Sequence, residues 1–358
     1  MAKPRLSLFN SIVFLLNNIF ALALLVSYLG WFVNPSKIPI MGVISLSVPV
    51  FMAINLVFVL YWILLRRKQM MLSIICLAVG WWHFNALYQF ANSVSYHFTK
   101  PPISVMTYNV HNYYPNHPWK KTYVPKEKMA GLVEEANPDI LCMQEFQNVK
   151  PWVPGYLKFK TITKNHDTQL AIYSRYKMLK TNVVNYPNKK GAYQKFMYAD
   201  ILVNDDTVRV VNVHLASIAL DNADLRTFKD IDHADQEKIE KSGKQIFSRL
   251  IDGYKKRGTQ VNSVDSFVTK SPYPIILCGD FNDTPTSYSY KKLTTHLEDA
   301  YTQAGHGLHA THPRFDRYKI PVRIDHIFSS SKFQATNWQV IQKEYSDHYP
   351  VLVNFMVK

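Results

Sequence analysis

The sequence predicts two parts: an N-terminal bundle of three transmembrane helices over residues 1–100, and an α/β or α+β sandwich over residues 101–358. Three observations carry this expectation. Residues 1–100 contain no Asp or Glu, so all 26 acidic residues of the 358-residue chain come later. That acid-free stretch is filled by three apolar runs, Leu8 to Val33, Ile38 to Leu65 and Met70 to Phe90. After Lys100-Pro101-Pro102 the pattern changes to short apolar strands broken by polar and Pro-bearing connections.

The first two runs exceed the ~20 helical residues that cross ~30 Å of hydrocarbon. Both are too long for the apolar part of a signal peptide, and no small-residue cleavage site follows the first. In the third run Trp81, Trp82, His83, Asn85 and Gln89 crowd the second half, which suits an interfacial belt. His83 reads there as a satisfied interfacial or interhelical residue. Lys3 and Arg5 precede the first span, Arg66, Arg67 and Lys68 follow the second, and only Lys37 lies between. The positive-inside rule therefore puts the N-terminus and the Arg66 to Lys68 loop in the cytoplasm, and three spans carry the remainder to the non-cytoplasmic side. If the third run merely lies in the interface, the remainder stays cytoplasmic.

Beyond residue 100, strands are expected at Ile103 to Val110, Ile140 to Gln144, Leu170 to Ser174, Phe196 to Val203, Thr207 to Leu215, Ile275 to Gly279, Ile324 to Phe328 and Pro350 to Met356. Helical spacing marks Lys126 to Ala136 and Asp224 to Lys256. Lys255, Lys256 and Arg257 close the second helix, either as a solvated end that complements the helix dipole or as a phosphate-tracking patch. Cys76, Cys142 and Cys278 read as buried free thiols, so no disulfide framework is implied. Basic residues outnumber acidic ones in this part, which suits a phosphate-bearing partner or an anionic membrane surface.

Polar side chains gather where the apolar strands end. Asn109 and His111 follow one strand, Glu145 the next, and His214 another; Asp280, Asn282 and Asp283 follow Pro-Ile-Ile-Leu-Cys-Gly. Asp325 sits in Arg-Ile-Asp-His-Ile-Phe, and Ser346-Asp347-His348 precedes the last strand. Taken singly, each is a turn, cap or core residue. Together, carboxylates, amides and imidazoles without a cysteine cluster match a hard-cation site, since Mg²⁺ prefers oxygen and needs only one or two carboxylates.

Thr107-Tyr108-Asn109-Val110, Gln144-Glu145, Asn212-Val213-His214, Gly279-Asp280-Phe281-Asn282, Arg323-Ile324-Asp325 and Ser346-Asp347-His348 occur in the order in which the endonuclease/exonuclease/phosphatase superfamily carries them. From about Ile103 to Lys358 the chain resembles that superfamily of DNase I-like proteins. The resemblance implies a four-layered α/β/β/α sandwich with an active site at one edge of two packed sheets. It implies Glu145 as principal metal ligand, with Asn109 and Asp347 as ligands or water-mediated partners. Asp280 would orient and deprotonate water, Asn282 would hold a phosphate oxygen or that water, and His348 would bind the phosphoryl oxygen or assist proton transfer, oriented by Asp325. His214 would stand near the leaving oxygen. His111 occupies a place where abasic-site nucleases of the superfamily carry Asp, which favours one Mg²⁺ (or Mn²⁺) ion over two and leaves His111 an accessory role. His326 reads as packing.

The expected activity is thus a membrane-anchored, divalent-metal-dependent phosphoesterase that cleaves a phosphodiester in a phospholipid head group or nucleic acid. Alternatives are a phosphatase on a small solute and an inert membrane-tethered binding module. Tethering favours a substrate in the bilayer surface. Tyr113-Tyr114 and Tyr288-Ser289-Tyr290 offer rings that could stack nucleobases. No protein partner is implied.

Overall fold

The computed structural model describes residues 6–90, 101–113, 126–146, 153–163, 169–187, 195–217, 236–313, 316, 320 and 322–358. Tyr114 and the first residues of the expected helix from Asp224 lie outside them.

Among the described residues, two six-stranded sheets pack face to face. The first has the order β11-β12-β1-β2-β4-β3 and the second β5-β6-β7-β8-β10-β9. The strands are β1 Ile103–Asn109, β2 Ile140–Phe146, β3 Phe159–Ile162, β4 Gln169–Ser174, β5 Met178–Asn185, β6 Lys195–Val203, β7 Asp206–His214, β8 Ile275–Asp280, β9 Glu298–Asp299, β10 Asp325–Ser329, β11 Phe333–Val340 and β12 Val351–Val357. Both sheets are mixed: β1 runs parallel to β2 and β7 parallel to β8, while the other ladders are antiparallel.

Alternation decides which side chains meet between the sheets. Val105, Ile140, Cys142, Ile172, Val210, Ile276, Cys278 and Ile327 form the inner core. Met106, Tyr108, Leu141 and Met143 face outward and pack on Met129, Leu132 and Val133 of the helix Lys126–Ala136. Val211, Val213, Ile275 and Leu277 pack on Val261, Val264 and Val268 of the long helix Gln236–Thr269. The layers are therefore α/β/β/α. Burying these branched side chains against one another is the main stabilising term.

The apolar N-terminal segment departs from three straight helices. Helix α1, Leu8–Tyr28, continues through a 3₁₀ turn to Trp31 and is long and apolar enough to cross a membrane. The second run is broken into α2, Pro39–Ser45, and α3, Val48–Leu64, bent by 47°; the third into α4, Met70–Val79, and α5, Trp81–Leu87, bent by 64°. Among the described residues there is thus one such helix, or up to three spans if each bent pair counts as one. Pro49 in the first turn of α3 has no N–H to continue a helix from α2, which explains the first break.

A polar cluster that hydropathy cannot reveal ties α1, α3 and α4 together. Asn17 Nδ2 donates to Ser73 Oγ at 2.7 Å, Ser73 Oγ donates to Asn55 Oδ1 at 2.8 Å, and Trp62 Nε1 donates to Asn17 Oδ1 at 2.9 Å. All four residues are buried, so interhelical hydrogen bonds add to packing there.

The bundle also docks on the sandwich. Trp31 and Ala86 belong to the same buried cluster as Phe281, Tyr290 and Phe328. Gly42 of α2 lies so close to Tyr254 that a Cβ there would sit 2.3 Å from the ring. His83 is sandwiched between Tyr28 and Trp31, with ring centroids 4.4 and 3.7 Å away. The N-terminal segment therefore contributes to the sandwich core, and the composition shift near residue 100 does not mark a clean physical boundary.

Gly279, just before Asp280, has φ +147°, and a Cβ there would stand 2.0 Å from the carbonyl oxygen of Val213 in the neighbouring strand. Gly279→Ala is expected to destabilise the fold by about 3 kcal/mol. Thermal unfolding in detergent unchanged from wild type would contradict this.

Candidate active site

The inward parity of the inner core continues to the strand ends at one rim, where it presents polar groups. Asn109 extends the row of Val105, His214 and Asn212 that of Val210, Asp280 that of Ile276 and Cys278, and Asp325 that of Ile327. Asp325 lies directly opposite Asp280 in the β8–β10 ladder, and His214 beside Asp280 in the β7–β8 ladder.

Glu145 reaches the same rim by a different device. Plain alternation from Cys142 would send it outward, but the β2–β4 ladder shifts register between Met143 and Phe146, and Glu145 has φ +49°. This bulge exchanges the faces: Phe146 joins the outer cluster, while Glu145 meets Asn109 and His214. The other sheet braces the bulge. Asn212 Nδ2 donates to the carbonyls of Met143 and Ala171 at 2.9 and 3.0 Å, and Gln144 Nε2 donates to Asn212 Oδ1 at 2.7 Å. Asn212 stood in a motif without a role, and only the paired strands reveal one.

Asp280 is the hub. Its Oδ1 accepts from the Asn282 backbone N–H at 2.8 Å, and its Oδ2 accepts from Asn109 Nδ2 at 3.0 Å. His214 Nε2 and His348 Nε2 lie 3.4 and 3.6 Å from the same oxygen. Asn109 Nδ2 also donates to Glu145 Oε1 at 3.3 Å, so one amide holds carboxylates from both sheets. Its Oδ1 accepts from the His111 backbone N–H. His348 Nδ1 faces Asp325 Oδ2 at 2.9 Å. Asn282, at φ +50°, donates through Nδ2 to the Leu215 carbonyl at 3.0 Å.

Electrostatics follow from this packing. Burial opposes ionisation of Asp280, yet His348, His214 and the Asn109 amide hold its carboxyl well below the usual range. Burial also works against Glu145, but the hydrogen bond from His111 and the neighbouring imidazoles bring it down to about 2. Burial works against His348 too, and is outweighed by Asp325 and Asp280, which raise its pKa well above that of free imidazole. The site at neutral pH therefore holds ionised acids beside a protonated His348.

Two sets of atoms can be considered for a cation. Asp280 with Asp325 and His348, and His312 with Asp347 and His348, each bring ligand atoms within 4.8 Å of one another. The first set is deeply buried, and its atoms are engaged with one another. Glu145 Oε2 and Asp347 Oδ2 instead converge on His111 Nδ1 at 3.3 and 3.2 Å, and the His111 side chain is 34% exposed. Oxygen donors at a mouth open to solvent fit a hard divalent cation better. His312, with its ring 5.2 Å from His348, was not singled out by the sequence.

Two expectations change. Arg257 is fully buried rather than part of a solvated helix end: its Nη1 donates to the Ala216 carbonyl at 2.9 Å, Nε lies 3.5 Å from Asp283, and the helix runs on to Thr269. His326 does more than pack. Its Nδ1 faces Arg323 Nη1 at 2.8 Å and its Nε2 the Asp283 carbonyl at 2.9 Å. Burial, with Arg323 beside it, pushes its pKa down to about 3.

A two-sheet α/β sandwich with acids and imidazoles gathered at one rim is an arrangement suited to hydrolysis of phosphate esters. The sequence profile of the Endonuclease/Exonuclease/phosphatase family matches residues 106–348, and the chain belongs to that family. Residues 10–87 match a profile described as a domain of unknown function (DUF8431). No curated protein matches the chain. Similar solved structures include humanized D. rerio TDP2, at 16% identity and TM-score 0.52, covering 72% of this chain and 99% of that one. An endonuclease/exonuclease/phosphatase from Bacteroides vulgatus shares 19% identity at TM-score 0.51, covering 72% and 100%. Another, from Beutenbergia cavernae, shares 17% at TM-score 0.50, covering 72% of each chain. At these identities the likeness shows the fold.

Proposed function

We propose that the chain is a membrane-anchored phosphodiesterase that uses a divalent cation, Mg²⁺ or Mn²⁺, to hydrolyse a phosphodiester in a phospholipid head group or nucleic acid by in-line attack of water. The observation that carries this reading is the joining of Glu145 and Asp280, from opposite sheets, by Asn109, with His214 and His348 beside them.

Glu145 would hold the cation, with Asp347 contributing directly or through water, and Asn109 keeping the carboxylates in place. A bound divalent ion would supply Lewis-acid stabilisation of charge on the phosphoryl oxygens. Asp280 would accept a hydrogen bond from the attacking water; its lowered pKa suits orientation more than complete proton removal. Protonated His348 would donate to a phosphoryl oxygen, with Asp325 fixing its ring. Asn282 would donate to the phosphate, and His214 would stand by the departing oxygen.

Contacts with the anchor favour lipid over nucleic acid. Gly307 N donates to Gln89 O at 2.7 Å where the last anchor helix exits, and five residues on, His312 stands against His348. Phe90 and Leu308 are exposed beside that junction. One wall of the site is therefore continuous with the anchor. The contacts of Trp31 and Ala86 with the sandwich put those ends of the bundle on the catalytic side, with the Arg66 to Lys68 turn between α3 and α4. With the positive-inside rule, the site faces away from the cytoplasm. A reporter fused after Lys358 that is active only in the cytoplasm would overturn this orientation.

The test uses full-length protein in detergent with Mg²⁺ or Mn²⁺, offered bis-p-nitrophenyl phosphate, sphingomyelin vesicles and plasmid DNA. Cleavage of vesicles with intact plasmid supports the lipid reading, and cleavage of none sinks the phosphoesterase reading. Glu145→Gln is expected to lower activity about 10³-fold and to weaken Mn²⁺ binding measured by calorimetry. Unchanged Mn²⁺ affinity would remove Glu145 from the metal site.

A further inference from the structure

The turn that follows Asp280 is gripped by the membrane anchor. Trp31 Nε1 donates to the Pro285 carbonyl at 2.9 Å, and Thr286 Oγ1 donates to the Ser45 carbonyl at 2.8 Å. A third connection runs through the sandwich. Arg323 Nη2 donates to the Ala86 carbonyl in α5 at 3.0 Å and to Asp299 Oδ2 at 2.9 Å, while its Nη1 reaches His326 Nδ1. His326 Nε2 then reaches the carbonyl of Asp283, the residue after Asn282.

The chemistry of these partners fixes the direction of the chain. A guanidinium only donates and a carbonyl only accepts, so His326 must accept at Nδ1 and donate from Nε2 as a neutral ring. Alternation in β10 explains its reach. Asp325 faces inward to His348, so His326 faces outward, toward the anchor and the turn. Arg323 and His326 are each only 3% and 1% exposed, so these bonds form where water does not compete.

We infer that Arg323 and His326 are positioning residues that hold the Asn282 turn against the membrane anchor, so that the anchor sets the geometry of the phosphate-binding side of the site. Neither residue touches the reacting atoms. They act through the Asn282 side chain, which the proposed mechanism sets against the phosphate and which this turn carries. The inference rests on the phosphodiesterase reading of that site, and it makes the anchor part of the catalytic apparatus as well as a tether.

Two substitutions at one position separate the relay from simple packing. His326→Gln can place an amide donor where Nε2 stands, whereas His326→Asn keeps only an acceptor near Nδ1. In full-length protein in detergent, His326→Asn is expected to lower kcat about 10- to 100-fold, the range for small misplacements of a catalytic group, and His326→Gln to restore most of it. In an Asn282→Ala background, His326→Asn is expected to add little, because both changes act through the same turn. Amide exchange over residues 281–287 should quicken in His326→Asn and stay near wild type in His326→Gln.

Equal exchange and activity in both variants would overturn the inference, as would effects of His326→Asn and Asn282→Ala that multiply fully. If wild type cleaves nothing, the phosphodiesterase reading falls, while the exchange measurement still decides whether His326 holds the turn.

Discussion

Asp280→Ala is expected to lower kcat on bis-p-nitrophenyl phosphate about 10³-fold or more, with the protein still folded. The size follows from the number of groups that depend on one carboxylate. Oδ2 collects the Asn109 amide and the rings of His214 and His348, while Oδ1 anchors the Asn282 turn. Removing the side chain takes away the acceptor for water and frees the amide that also holds Glu145. His348 keeps Asp325, so its ring should stay in place, and the loss should fall on kcat more than on KM. The measurement is steady-state hydrolysis with Mn²⁺ beside a thermal melt. A variant that melts like wild type and keeps activity within tenfold would remove Asp280 from the mechanism.

Much of this site was legible because β-strands alternate. The inner strands carry Val, Ile and Cys at every second position, and continuing that count leads to Asn109, His214, Asp280 and Asp325. The central strands were legible for the same reason. The edge strands were not: β5 is largely exposed and rich in Lys, Asn and Thr, and β11 is interrupted by a bulge between Ala335 and Asn337. Their pairing comes from a neighbour's backbone, which hydropathy does not encode. Glu145 was found from its place after an apolar run, although simple alternation points it the wrong way; its bulge depends on Asn212 from the opposite sheet. Arg257 and His326 were misjudged because a charge cluster and a ring look ordinary until the partners around them are known. Breaks in the N-terminal apolar runs were hidden because apolarity continues through them.

Deleting residues 1–90 is expected to leave the remaining sandwich insoluble or melting well below the full chain. Trp31 is only 6% exposed, and it packs with Phe281, Tyr290 and Phe328, which its removal would uncover. Losing a buried indole alone costs about 3–5 kcal/mol, a large part of the stability of an ordinary domain. Truncation would also leave Arg323 without the Ala86 carbonyl and Thr286 without the Ser45 carbonyl, and buried polar groups without partners are costly. Trp31→Ala in the full chain removes both the packing and the N–H to Pro285, whereas Trp31→Phe removes that N–H and part of the indole but keeps one ring. The expected order of thermal stability in detergent is wild type, Trp31→Phe, Trp31→Ala, with the truncated sandwich below all three. A soluble, monomeric fragment of residues 91–358 that melts with the full chain and matches its hydrolysis rate would show that residues 1–90 contribute nothing to the fold or the site, and would separate the two parts as cleanly as the charge distribution first suggested.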